Sequence, residues 1–332
     1  MRTKSVIKII LSSTVLQLII VISGFLLPRF FLKEYGSEIN GLVASIKQFI
    51  TYFSIAGAGI AVASSAALYK PLAENDLAKT NGILSATKVH YFQTAKVFFT
   101  LIFFFIIIYP FMIQSSLSYT FIINVIFIIS LGAIVEQILV NKYSVLLIAD
   151  QKNHIISKTT TIGVIINTVT SILLIKLSFS VIAVLIVTAL TFYIRLFLLI
   201  RYVKKNYPYV DFKVIPDMPA ISGRWDAFAY QISGIMTAYS PVVIISIFGG
   251  LKEVSVYSIY NMVFSSLTMI VAIFSAGLSA TFGNIMARRE KDVLDNSFNL
   301  YEYFYFIITF FCYTCAFKLI IPFISIYTKG IN

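Results

Sequence analysis

Charge is what this sequence has least of: 14 Asp and Glu and 26 Lys and Arg in 332 residues make 12% charged, about half the roughly 25% of a soluble domain. There is not enough polar side chain to clothe a water-soluble fold of this length. Cysteine is nearly absent, with Cys312 and Cys315 the only two, which excludes a disulfide framework. Their spacing is that of a redox motif, but both lie in an apolar run and read as small hydrophobes, not as a dithiol or zinc centre. Histidine is as scarce. His90 and His154 stand in separate stretches without clustered ligands, so no metal site and no cofactor is expected.

What the chain does have is apolar length. It is 59% hydrophobic with a mean hydropathy of +0.90, and the apolar residues come in runs from one end to the other. A helix crossing the ~30 Å hydrocarbon core needs about 20 mostly apolar residues. Nine runs qualify: Val6 to Leu27, Gly41 to Leu68, Val97 to Ile113, Thr120 to Val140, Thr159 to Ile175, Ser180 to Ile200, Ala227 to Phe248, Val256 to Ile285 and Leu300 to Ile326. The first is too long for a cleavable signal core, and no small-residue cleavage pattern precedes Pro28, so it reads as a retained signal anchor. The expected class is an all-α, polytopic membrane protein with about nine transmembrane helices.

Lys and Arg set the orientation. With the N-terminus in the cytoplasm, 18 of the 26 fall on the cytoplasmic side and five outside (Arg29, Lys33, Lys176, Lys252 and Lys329), while Lys47, Arg195 and Lys318 lie within helices. Nine spans then leave the C-terminus outside. Outer loops are short, so nothing folded sits there. On the inner side, Leu77, Leu84 and Tyr91 recur every seven residues with Lys79 and Lys88 between them, the pattern of an amphipathic helix lying on the membrane surface. Residues 206–224, with three prolines, read as a cytoplasmic linker between a bundle over 1–205 and a second over 225–332. A faint parallel repeat sets Ala58-Gly59-Ile60 against Ala276-Gly277-Leu278. The small residues of Ala56 to Ala67 favour close helix packing.

The stretch Leu27 to Tyr69, LPRFFLKEYGSEINGLVASIKQFITYFSIAGAGIAVASSAALY, followed by KPLAENDLAKTNGILSA, resembles the first two helices of Wzx-type polysaccharide flippases. These belong to the MOP superfamily with the lipid II flippases and the MATE exporters. Sharp similarity is confined to about Pro28 to Ser85, although the helix rhythm matches throughout. The resemblance implies two lobes across a central cavity, a MOP-type six-helix first lobe, and movement of an undecaprenyl-pyrophosphate-linked oligosaccharide from the inner to the outer leaflet of a bacterial plasma membrane. It implies as partners the lipid-linked oligosaccharide, membrane lipids, and the polysaccharide polymerase and glycosyltransferases of surface polysaccharide or O-antigen synthesis. The second lobe is partial, with three helices where the family has six. The expectation is a C-terminally truncated product or fragment, or a half completed by another chain.

A flippase needs cationic or hydrogen-bonding groups along a wet path, and ionisable residues at membrane depth are functional candidates by default. Arg29 follows Pro28, expected to break the helix, and Lys33 comes four residues later. Together they either receive the pyrophosphate at the outer leaflet or snorkel as interfacial anchors. Lys47 has no acidic residue within four positions and either lines the cavity, the favoured reading, or snorkels to the outer surface. Gln17 and Gln231 fall in helices that the resemblance sets facing one another; each binds sugar hydroxyls or forms an interhelical bond. Glu136 is a weak candidate for binding a coupling ion, with a structural pair to Lys142 as the alternative. Arg195 is expected to snorkel to the inner surface. Tyr52, Tyr230, Tyr239 and Tyr260 are candidates to stack on sugars, although aromatic belts and lipid contact explain most residues of this kind.

Two other functions compete. A MATE-like antiporter of organic cations would want carboxylates in the cavity, and the first, second, seventh and eighth spans have none in their apolar parts. A polytopic glycosyltransferase would use Glu34 and Glu38 in the first outer loop, but the outer loops are too short for a sugar-nucleotide domain. Nucleic-acid binding is not needed to explain the basic loops, because the positive-inside rule already does. The chain is expected not to be an enzyme.

Overall fold

The computed structural model describes residues 2–222, 236, 240–287 and 291–329. Among these every regular element is helical, because a helix satisfies its backbone polar groups within one segment when no water is at hand. The order is α1 (Arg2–Ser54), α2 (Ala58–Glu74), α3 (Leu77–Met112), α4 (Tyr119–Val135), a π-helical turn (Glu136–Val140), α5 (Asn141–Ala149), α6 (Asn153–Lys176) and α7 (Val181–Asn206). A 3-10 turn at Pro219–Ile221, a helix over 240–248 (α8), α9 (Leu251–Ala287) and α10 (Lys291–Tyr327) follow. Six stretches among the described residues are long and apolar enough to span a membrane: Lys8–Ser54, Leu77–Met112, Tyr119–Ala149, Asn153–Lys176, Val181–Asn206 and Val293–Tyr327. Lys8–Ser54 contains most of the first expected run and part of the second. Of the seventh, only residues 236 and 240–248 are described, and the eighth lies inside α9.

The breaks have local causes. Pro28 does not end the first helix, contrary to expectation; the chain stays helical through it and turns at Gly36, whose φ of 82° is open to glycine. The part before this turn is α1a and the part after it α1b. The second expected span is interrupted at a 3-10 turn, Ile55–Gly57. Opposite it, the π-helical turn aims Gln137 at the gap, where its amide donates to the Ser54 carbonyl at 3.3 Å and accepts from Asn141 at 3.2 Å. A Cβ on Gly57 would collide with the Gln137 amide nitrogen. Asp76, Ser118 and Ser180 cap α3, α4 and α7 by accepting from backbone N–H groups three residues on. These caps satisfy donors that the first turn leaves free. That bond from Lys79 N–H, ahead of the Lys79 ammonium, holds the Asp76 carboxyl below its ordinary range.

The Leu77–Tyr91 segment is not a separate surface helix. It runs without a break into the span of α3, and while Leu77 is exposed, Leu84 and Tyr91 are fully buried among Leu68, Val145, Leu146 and Ile221. Residues 206–222 pack on its start: Asn81 donates to the Tyr209 carbonyl at 2.9 Å and the Asp217 N–H to the Gly82 carbonyl at 3.0 Å. Tyr207 donates to Asp150 at 2.5 Å, and burial, then this bond, raise its phenol above the ordinary value. The chain divides into two compact units, Met1–Ser255 and Val256–Asn332. The first has two apolar cores stacked along its helices, one around Leu42, Ile46, Phe98 and Ile126, the other around Leu68, Leu84, Leu146 and Leu199. In the second unit, Tyr313 of α10 stacks on Phe264 and bonds Thr268 of α9 at 2.8 Å. Cys312 and Cys315 are free thiols in an apolar groove there. The repeat is not matched in local structure: Ala58-Gly59-Ile60 opens α2, whereas 276–278 lie inside α9.

One register organises the first unit. Ser13 and Ser157 meet at 3.3 Å between hydroxyls, and the Tyr35 hydroxyl donates to the Phe179 carbonyl at 2.7 Å; both pairs are 144 residues apart in sequence. A constant offset over this distance means that α1a and α6 run parallel and side by side for about 33 Å, the thickness of a bilayer core.

Gly57→Ala and Gln137→Leu should each lower stability by about 1–3 kcal/mol through the exposed Ser54 carbonyl. Because both act on the same bond, the double variant should cost less than their sum, which thermal unfolding of the detergent-purified protein would measure.

Candidate functional site

The two halves of α1 present contrasting surfaces. On α1a, Leu11, Val15, Leu18, Ile22 and Leu26 are exposed, with Lys8 before them and Arg29 and Lys33 after. Spacings of three and four put all eight on one face, with Lys8 and Arg29 about 31 Å apart along the helix. This is an apolar stripe of membrane thickness with a cation at each end. On the segment 37–54, by contrast, Lys47 is the one exposed residue. Ile46 and Ile50 beside it are buried in the core, and Lys47 has no ion-pair partner among the described residues.

Lys47 therefore opens from a helix that is otherwise enclosed by protein. Arg29 and Lys33 lie on a different surface, the stripe of α1a, and the fold does not bring them to Lys47. Lys176 comes to the same end of α1a, its ammonium 5.8 Å from the Phe30 ring. Gln17 is one turn above Ser13, on the side turned to α6, and its Oε1 is buried with no hydrogen-bond partner among the described residues. Gln231, Tyr230 and Tyr239 lie outside the described residues.

Around α1b the structure builds a set of polar links that sequence reading missed. Tyr109 of α3 is buried and donates to Ser45 at 2.6 Å. Asn40 donates to Ser255 at 2.8 Å in a buried contact, and Tyr52 bonds Ser240 at 2.9 Å, so that Tyr52 is a link between helices. Gly41 lies so close to the Leu251 carbonyl that a Cβ there would overlap it. Glu38 accepts from the Ser115 hydroxyl at 2.8 Å and from the Ser116 N–H and hydroxyl, both at 2.6 Å. These bonds engage both of its oxygens and make it an anchor. Single residues of this kind give no periodic signal; only Gly41, a glycine inside an apolar run, hinted at a close approach.

Glu136 is paired, but not with Lys142. Arg195 Nη1 donates to both its oxygens at 2.6 and 2.8 Å, so Arg195 does not snorkel away; it neutralises the carboxylate across from α7. Lys142 instead lies over the rings of Tyr143 and Phe212, 5.1 and 5.5 Å from their centroids. The sequence offered no spacing from which the 136–195 pair could be read. Arg195 Nε is buried without a partner, and the side chain lines a cavity of about 130 Å³ with Thr160, Asn167, Thr188 and Thr191. Among the described residues no group of three His, Cys, Asp or Glu could hold a metal ion.

Six long apolar helical stretches and the polar links between helices fit a polytopic membrane protein. Against solved structures the whole chain matches an inward-facing conformation of a multidrug resistance MATE family transporter of the MOP superfamily. The match has a TM-score of 0.73 at 13% identity and covers 97% of this chain and 75% of that one. The chain thus has the fold of a MOP-superfamily transporter. No family model and no curated protein sequence matches it.

Arg195→Ala strands Glu136 in an apolar setting and should destabilise the protein by about 3 kcal/mol. Glu136→Gln/Arg195→Gln should recover most of that loss, as read from thermal unfolding. Gly41→Ala should cost about 1–3 kcal/mol by forcing α1b away from Leu251, and a cysteine pair at 40 and 255 should crosslink less readily in that variant.

Proposed function

We propose that this chain is a flippase that moves an undecaprenyl-pyrophosphate-linked oligosaccharide from the inner to the outer leaflet of a bacterial plasma membrane, with its N-terminus in the cytoplasm. The observation that carries this reading is Lys47, a cation with no ion-pair partner among the described residues and the one exposed residue on the segment 37–54. A lysine that merely snorkelled would sit on a helix showing bulky apolar side chains to lipid, as α1a does. An enclosed cation needs a counter-charge, and a pyrophosphate supplies one. The polyprenyl tail never has to leave the hydrocarbon.

The competing exporter of organic cations shares the fold and stands as the second reading. Against it, two carboxylates of the first unit are already engaged: Glu136 is neutralised by Arg195 and Glu38 is held by serine donors. The same engagement of Glu38 counts against a glycosyltransferase. Alternating access fits the links between α1b and the 240–255 stretch, which have to part if a path opens on that side. An inside-negative potential favours outward movement of the anion by about 2.3 kcal/mol per charge per 100 mV.

In proteoliposomes, Lys47→Ala should slow flipping of a short undecaprenyl-pyrophosphate glycan at least about tenfold, equivalent to one charge-assisted contact, while Lys47→Arg retains most of it. Transport of ethidium in the same vesicles, with glycolipid flipping unaffected by Lys47→Ala, would replace this reading with the exporter.

A further inference from the structure

The parallel register of α1a and α6 has a consequence at the lysine-rich end, which the Lys and Arg distribution assigns to the cytoplasm. The offset of 144 residues that aligns Ser13 with Ser157 and Tyr35 with Phe179 sets Lys8 level with Lys152, which precedes the first residue of α6. Lys158 follows one and a half turns later. His154 sits among them, and the ammonium groups of Lys158, Lys152 and Lys8 are all within Coulombic reach of its ring. Its Nδ1 is buried and has no hydrogen-bond partner.

Three cations, from α1a, α6 and the residue before it, thus face one imidazole ring. The nearby carboxylate, Asp150, is 3.7 Å from Lys152 and also accepts from Tyr207; Lys8 and Lys158 have no ion-pair partner among the described residues. Lys152 caps α6 without a side-chain bond, so the positive end of the helix dipole points to the same place. Like charges held together around an unpartnered ring nitrogen are a site for a multivalent anion. The exposed apolar stripe of α1a begins one turn beyond Lys8, where an attached lipid tail would lie.

We propose that Lys8, Lys152, Lys158 and His154 form a pyrophosphate-binding site at the inner end of the α1a–α6 pair, where the headgroup docks before it moves. The direction of travel rests on the flippase reading; the binding itself does not. Two sources share this chemistry, the lipid-linked pyrophosphate and the free anion.

Binding is measured with the whole chain in nanodiscs by native mass spectrometry, using undecaprenyl pyrophosphate and phosphatidylglycerol as lipid probes, and by calorimetry with inorganic pyrophosphate. Lys8→Gln/Lys158→Gln should weaken undecaprenyl pyrophosphate binding at least about tenfold, from roughly 1 kcal/mol per surface lysine. His154→Gln, which keeps the size and changes the donor, should weaken it less. Lys204→Gln/Lys205→Gln, the same charge removed at the end of α7, should leave it unchanged. Binding of inorganic pyrophosphate with the same variant pattern would name the headgroup alone as sufficient, and its failure beside lipid binding would name the lipid as the source. Equal loss in the α7 control, or phosphatidylglycerol bound as tightly, would overturn the site in favour of general attraction to anionic surfaces. If the variant pattern holds while vesicles show no flipping, the anion site stands and the flippase reading falls. Flipping that persists with binding insensitive to Lys8 and Lys158 would remove the site alone.

Discussion

Hydrocarbon offers no hydrogen bonds, and that constraint shapes this molecule more than any single contact. A polar group placed at depth gains from a partner in the chain: many of the described serine and threonine hydroxyls bond the carbonyl a turn back in their own helix, and several larger groups reach to another helix. Glu136 takes Arg195, Tyr109 takes Ser45, and Asn40 takes Ser255. Where the backbone itself fails, at the turn after Ser54, Gln137 covers the exposed carbonyl. A π-helical turn, which costs α4 its regular bonding, is what aims that amide. Lys47 stands out against this background, with no ion-pair partner among the described residues.

The first helical run meets two environments with one stretch of sequence. Before Gly36 it shows a stripe of leucine, valine and isoleucine to its surroundings; after Gly36 it is enclosed and exposes one lysine. The turn at Gly36 separates the two, and the close contact at Gly41 holds the second part in place. Alignment with α6 then sets the levels of the charges, so that basic residues gather at both ends of a pair about as long as the bilayer is thick.

Much of the fold was legible because its cause is periodic or additive. Apolar runs announce spans by length alone, and the lysine and arginine bias needs only counting. Pro28 misled for a physical reason: in a membrane helix the carbonyl it frees can be satisfied by neighbours, so it no longer marks an end. The heptad of Leu77, Leu84 and Tyr91 was a true apolar face, but its periodicity cannot tell a membrane surface from a protein core. The candidate site was legible in part. Lys47 stood out as a charge in an apolar run; the pairing of Glu136 did not, because Arg195 is 59 positions away in sequence.

The sequence by itself determined that the chain is helical, that it crosses a membrane repeatedly, and which charges lie at depth, since each follows from the cost of exposing polar groups to hydrocarbon one segment at a time. Only the tertiary structure decided which of those charges are neutralised, which helix is enclosed, and that Lys8 stands level with Lys152. Those facts depend on the register between helices distant in sequence, which is set by single contacts such as Ser13 with Ser157 and Gly41 with Leu251, and no local pattern encodes them.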